Sequence, residues 1–209
     1  MIWRFIDTGE HSGAYNMAVD EVLMFHSPVP VLRVYRWKPH TISIGYAQKM
    51  NAEVDPALCQ QKGYGFVRRP TGGRAVLHAE ELTYSVVGDQ TLDMFGDSTL
   101  KSYKTIAIGL ASSLAELGIE AELQKSKVKE SALDANPCFT SAGRYEILVN
   151  GKKIVGSAQR RTEGKILQHG SMLIDKAHLD IVDVMPKLSQ EGRRRMRKIL
   201  MDRTTTIND

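Results

Sequence analysis

Leu100, Tyr103, Ala107, Leu110, Leu114 and Leu117 recur at alternating three- and four-residue steps. That spacing predicts an amphipathic helix over 98–117, with Gly118 ending it. Residues 14–25 predict another helix. Met17, Val19, Val22, Leu23 and Phe25 give it a broad apolar side, which Asp20 and Glu21 interrupt, and Pro28 and Pro30 close it. Residues 31–35 and 41–46 read as strands joined by a turn at Lys38-Pro39-His40. A short helix over 56–62 follows Asp55, a suitable N-cap. Residues 119–123 read as a strand, and 125–140 have no period and read as a loop. Residues 144–149 alternate around Tyr145, Ile147 and Val149, and Asn150-Gly151 is a strong hairpin signal. Strands over 153–158 and 165–174, then helices over 177–185 and 190–202, complete the pattern. It is α+β, with hairpins outnumbering βαβ units.

Composition narrows the class. Hydrophobic residues are 42% and charged residues 25% of 209, as in soluble globular proteins, and one large or two small domains would fit. No segment approaches the roughly 20 apolar residues of a membrane span, and the first residues lack a secretory pattern. Cys59 and Cys138 lie far apart, so the expectation is a reducing cytoplasm without disulfides. Two cysteines and six scattered histidines predict no metal site. The net charge of +4 is uneven. Arg193, Arg194, Arg195, Arg197, Lys198 and Arg203 crowd the C-terminus, and Lys125, Lys127 and Lys129 form a second cluster. Solvated faces are the first reading, and steering of an acidic protein partner is the second. Nucleic acid ranks last, because no stacking aromatics accompany the charge.

The densest candidate chemistry is Arg68-Arg69-Pro70-Thr71-Gly72-Gly73-Arg74-Ala75-Val76-Leu77-His78. Two glycines lie in a cationic turn between strand-like segments. Glycine permits positive φ and close approach of a ligand to the main chain. Amides beside Arg68, Arg69 and Arg74 suit a carboxylate, a phosphate or a thioester carbonyl. A hairpin turn is the plainer alternative. Cys138 follows Asn-Pro in a loop, where nearby lysines could hold a thiolate; a small buried hydrophobe is its other reading, and Cys59 fits that reading better. Strand alternation separates Lys152 from Lys153 and puts Lys153 on the face of Val155, pointing inward.

The stretch from Arg68 to His78, followed by Glu81-Leu82-Thr83-Tyr84-Ser85-Val86-Val87, resembles the signature of the lipoate–biotin protein ligase superfamily. Asn16 to Glu21, Gly151 to Gln159 and Gln168 to Leu173 resemble three further family segments, in the same order. The nearest branch is the lipoate-protein ligases and LipM-type octanoyltransferases. The resemblance implies one catalytic acyltransferase domain over 1–209, with a mixed, mostly antiparallel sheet flanked by helices. It implies Cys138 as nucleophile and Lys153 on the acyl carbonyl, where an ammonium stabilises an oxyanion. Arg68, Arg69, Gly72, Gly73, Arg74, Ala75, Val76, His78, Gly156, Ser157, Ala158 and His169 would border the substrate, with Val76, Leu77, Gly156 and Ala158 as candidate walls of an apolar slot. His78 and His169 are structural braces or general bases.

Transferases of this kind use a cysteine before a Tyr-Glu strand, and here Cys138 precedes Tyr145-Glu146. The implied donor is octanoyl-acyl carrier protein. The implied acceptor is a lipoyl-accepting domain, either a glycine cleavage H protein or a 2-oxoacid dehydrogenase E2. No cofactor is required, and the expected state is a monomer. ATP and Mg enter only in the alternative, an adenylate-forming lipoate ligase. Family members commonly continue past the Thr204-Thr205-Thr206 region with another helix. Ending at Asp209 therefore leaves a third alternative, a non-catalytic acyl-binding or partner subunit of a split enzyme.

Overall fold

Strand pairing divides the chain into two sheets that share one seam. The computed structural model describes residues 1–96, 98–125, 145–186 and 188–209. Ten strands are present among them: β1 Arg4–His11, β2 Val31–Trp37, β3 Thr41–Ile44, β4 Gly65–Arg68, β5 Val76–His78, β6 Glu81–Asp89, β7 Glu122–Lys125, β8 Tyr145–Val149, β9 Lys152–Thr162 and β10 Lys165–Leu173. The large sheet runs β1-β2-β6-β10-β9-β8-β7, and the small one β4-β3-β5. Only β1–β2 and β3–β4 pair in parallel; the other pairs are antiparallel. No helix among the described residues is long and apolar enough to cross a membrane.

Four of the five α-helices among the described residues start where a side-chain cap relieves orphan amides. Ser12 caps α1 (Gly13–His26), Asp55 caps α3 (Pro56–Gln61), Ser98 caps α4 (Thr99–Glu116) and Ser189 caps α5 (Gln190–Arg203). A short α2 (Met50–Glu53) has no side-chain cap. α4 covers one face of the large sheet, where Ile106 and Leu114 meet Val86, Ile147, Ile154, Ile166 and Met172. α1 covers the other face, with Met24 on Val31, Val87 and Leu167. The small sheet packs Ile42, Ile44 and Leu77 against Leu179 and Val182 of a 3₁₀ helix (Lys176–Val184) and Leu200 of α5.

Several expectations change. The chain bends at Lys38-Pro39-His40 as expected, but it passes there from β2 of the large sheet to β3 of the small one. β4 and β5 do not pair across the Gly-Gly turn; both flank β3. β1 carries no clear alternation in sequence, since Gly9 and a register shift break it, and it forms a parallel β1-α1-β2 unit. β7 begins at Glu122 rather than 119, and the 177–185 segment is 3₁₀ rather than α. The buried stripe of α1 is Gly13, Asn16, Met17, Asp20 and Met24, while Val22 lies exposed. Asp20 does not interrupt an apolar face; it is the centre of a buried polar one. The loop over 125–140, with Lys127, Lys129 and Cys138, lies outside the described residues beyond Lys125.

Leu114 is fully buried between α4 and the large sheet, whereas Ile108 on the same helix is half exposed. Leu114→Ala should cost about 2–5 kcal/mol of unfolding free energy in urea, against at most about 0.5 kcal/mol for Ile108→Ala. Equal costs would mean that α4 presents a different face to the sheet.

Candidate functional site

Side chains alternate across each strand, so the face toward α1 is fixed by parity. On β2 that face presents Arg33, Tyr35 and Trp37, on β6 Glu81, Thr83 and Ser85, and on β10 His169 and Ser171. Arg33, Tyr35, Ser85 and His169 meet Asp20 of α1, Glu81 meets His78 of the small sheet, and Trp37 donates to Thr83 within the large sheet. A narrow, mostly apolar cleft opens in this seam. Its lining includes Met17, Tyr35, Trp37, Ser43 and Val76 together with Gly156 to Ala158 and Gly170.

Two histidines bound it, and each is held at both nitrogens. His169 Nδ1 lies 3.1 Å from Asp20 Oδ2, and Nε2 lies 2.6 Å from Thr71 Oγ1. His78 Nδ1 lies 2.8 Å from Glu81 Oε1, and Nε2 lies 2.7 Å from Ser43 Oγ. The His78 ring also stacks on Trp37 at 4.0 Å. Burial pushes the His169 pKa below its ordinary 6.5, more than the neighbouring Asp20 raises it. Burial acts to raise Asp20, but His169, Arg33 and Ser85 outweigh it and hold the carboxyl below its usual value. With His169 neutral, the charge compensating Asp20 is Arg33, 2.7 Å away and equally buried.

The cationic loop divides its labour. Arg69 lines the cleft and donates to the carbonyls of Ser43, Gly72 and Arg74. Arg68 donates instead to the carbonyls of Gly45, Tyr46 and Gln48, and Arg74 pairs with Glu53 at 3.3 Å. Gly72 and Gly73 are exposed, and Gly73 has φ +94°. The loop lies so close to the turn after β3 that a Cβ on Gly45 would sit 2.2 Å from the Gly73 carbonyl oxygen. Arg69 thus folds the loop on its own carbonyls, while Arg68 and Arg74 tie it to the segment that follows β3. Arg69, Val76, His78, Gly156, Ser157, Ala158 and His169 of the expected set meet at the cleft; Arg68, Gly72, Gly73, Arg74, Ala75 and Lys153 do not line it. Leu77 packs into the small-sheet core rather than walling the slot. Cys138 lies outside the described residues.

Lys153 is buried, and its Nζ is 3.1 Å from Glu146 Oε1. The inward aim was expected, but its reason differs. Ile147 pairs with Val155, yet Leu148 pairs with Lys153, so β9 carries one extra residue there. Paired residues share a face, and Ile147 and Leu148 alternate. Lys153 and Val155 therefore point to opposite faces. The bulge turns Lys153 onto the face of Gly156 and Ala158, the side of the cleft, while Val155 joins the core under α4. Lys152 is exposed, as alternation predicts.

The side chains missed in sequence are Met17, Tyr35, Trp37, Ser43, Thr83 and Ser171 at the cleft and Asp20 behind it. Asp20 and Asn16 carried one signal, polar residues at helical spacing with Met17 and Met24.

The family model described as "Lipoyl protein ligase A/B catalytic domain" matches residues 12–209. An octanoyltransferase LipM of Kyrpidia tusciae is 43% identical, over 99% of this chain and 78% of that protein. An octanoyltransferase LipM of Bacillus subtilis is 39% identical with the same coverage. Among solved structures, the bipartite lipoate protein ligase of Thermoplasma acidophilum superposes with a TM-score of 0.77 at 25% identity, over 100% of this chain and 76% of that one.

A histidine that resists protonation in the fold removes stability as pH falls below 6.5, because the unfolded chain binds the proton first. His178, also lowered by burial, acts with the same sign. Together they should tilt the unfolding free energy by up to ~2.7 kcal/mol per pH unit below that point. His169→Gln should reduce the slope measured between pH ~6.5 and ~5 to about half. An unchanged slope would show that His169 titrates normally.

Proposed function

The chain belongs to the lipoyl protein ligase A/B catalytic domain family, and within it we propose an octanoyltransferase of protein lipoylation. It moves an octanoyl group from acyl carrier protein to a lysine of a lipoyl-accepting domain, of the glycine cleavage H protein or E2 kind. The observation that carries this reading is chain-long identity of about two-fifths with octanoyltransferases. The cleft supports it: an apolar slot between Met17, Val76 and Ala158 suits a medium acyl chain.

In this reading the Cys138 thiolate attacks the donor thioester and releases the carrier's thiol, leaving an acyl-cysteine. The acceptor amine then attacks that thioester, and the Cys138 thiol is regenerated. Lys153, turned to the cleft side by the bulge and held by Glu146, offers its ammonium to the carbonyl oxygen as negative charge develops there. The donor is already activated, so neither ATP nor Mg is consumed. A monomer acting in the cytoplasm is the simplest setting. Exposed Arg194 and Arg195 on α5 present the positive face to an acidic carrier. Arg197 is less available, since it pairs with Asp180 at 2.7 Å and Asp183 at 3.0 Å.

Cys138→Ser should abolish transfer, and peptide mass mapping after mixing with octanoyl-acyl carrier protein should lose the octanoyl thioester from the peptide that holds position 138. Cys59→Ser should retain both, because Cys59 is buried in the small-sheet core. Native turnover by the Cys138 variant would sink the thioester mechanism. Lys153→Ala should slow acylation by about 10²–10³-fold, with Lys152→Ala nearly silent; equal effects would reverse the assignment of faces.

Arg194→Glu with Arg195→Glu should weaken encounter with acyl carrier protein and flatten its salt dependence. Transfer from preloaded acyl-enzyme to a small amine should be unchanged. Loss in both assays would show that α5 supports the fold rather than steering the donor.

A further inference from the structure

The two histidines of the cleft belong to parallel hydroxyl–imidazole–carboxylate chains: Thr71–His169–Asp20 and Ser43–His78–Glu81. Only the second presents its hydroxyl-bearing residue to the cleft, for Ser43 lines it and Thr71 does not. An ionised carboxylate accepts hydrogen bonds and donates none. Glu81 Oε1 therefore takes the Nδ1 proton of His78, and Nε2 is left to accept the hydroxyl hydrogen of Ser43. The Ser43 oxygen in turn accepts from Arg69 Nη1 at 2.9 Å, which places a fixed positive charge beside it.

The imidazole is locked in this pose. Trp37 stacks on its ring, and Glu81 Oε1 also accepts from Thr83 at 2.6 Å and Ser171 at 2.8 Å. Glu81 Oε2 is buried with no partner among the described residues. Nucleophile, base and orienting carboxylate are thus assembled at hydrogen-bond distances on the wall of an apolar cleft.

We propose that Ser43, His78 and Glu81 form a second nucleophilic centre, which hydrolyses medium-chain acyl thioesters and activated acyl esters held in the cleft. The inference rests on reading the cleft as the acyl site. Ser43 Oγ attacks the acyl carbonyl while its proton passes to His78 Nε2. The C–S or C–O bond to the leaving group breaks, and His78 returns the proton to the departing thiolate or alkoxide. Water then attacks the Ser43 ester, gives its proton to His78, and releases the carboxylic acid as Ser43 recovers its hydrogen. No oxidant or cofactor is needed. The strands around the cleft spend their amides on sheet pairing, so turnover is slow.

The test uses Cys138→Ser protein, which removes the competing thiol. It should release p-nitrophenol from p-nitrophenyl octanoate in a burst. An octyl fluorophosphonate should label the peptide containing Ser43. His78→Ala should lower both rates by about 100-fold, and Ser43→Ala should abolish the label. Ser43→Cys, in the same background, should accumulate a covalent octanoyl thioester and so guards against a variant that merely misfolds. Folded Cys138→Ser protein that binds octanoate by calorimetry but shows neither burst nor label would overturn this inference. Octanoylation of Cys138 in the native protein would then leave the transferase reading standing. Failure to bind octanoate at all would overturn both.

Discussion

The Asp20 carboxylate accepts four side-chain hydrogen bonds, from Arg33, Ser85, Tyr35 and His169, and all five side chains are buried. Those donors come from β2, β6 and β10, three adjacent strands of the large sheet, while Asp20 itself sits on α1. Arg33 extends the network to Asn16 and Thr8 and lies over the Tyr35 ring at 3.9 Å. A buried ion pair adds little net stability over an apolar substitute. Its effect is directional: α1 has one rotation and one height at which all four donors are satisfied. That pose sets Met17 against the cleft and fixes which His169 nitrogen faces Thr71.

The small sheet depends on the same pose through His169. Thr71 belongs to the loop between β4 and β5, and its bond to His169 fastens that loop to β10 of the other sheet. Arg69 then folds the loop on itself, and Arg160 of β9 reaches the Pro70 carbonyl. The cleft is the space left where these polar ties hold two curved sheets apart. Its hydrogen-bonding groups are therefore largely committed to the fold, and its free surface is apolar.

Much of this was legible in the sequence because it obeys local rules. The α4 period, the Asp55 cap and the Asn150-Gly151 turn each depend on neighbours in the chain, and each appears where expected. The site motifs also appeared in order. The failures share a cause. Polar residues such as Asp20, Arg33 and Ser43 look surface-bound until a partner distant in sequence satisfies their hydrogen bonding, as Ser85 does for Asp20 across 65 residues. Adjacency in sequence also does not decide which sheet a strand joins: β2 and β3 flank Lys38-Pro39-His40 yet lie in different sheets, and β4 and β5 flank Gly72-Gly73 yet both pair with β3.

The β9 bulge shows how little sequence information can separate two functional outcomes. Period-two alternation put Lys153 and Val155 together, and a regular ladder would have sent both either to the core or to the cleft. Core placement would bury an ammonium among Ile147, Ile154 and Met172, a cost of several kcal/mol. Cleft placement would strip Val155 from the packing under α4. One extra residue removes the conflict by letting each side chain take the face its chemistry favours. Glu146 completes the arrangement, since on β8 it alternates with Ile147 and so meets Lys153 on the cleft side. The position of the lysine is thus set by the hydrophobic requirement of its neighbours as much as by its own charge.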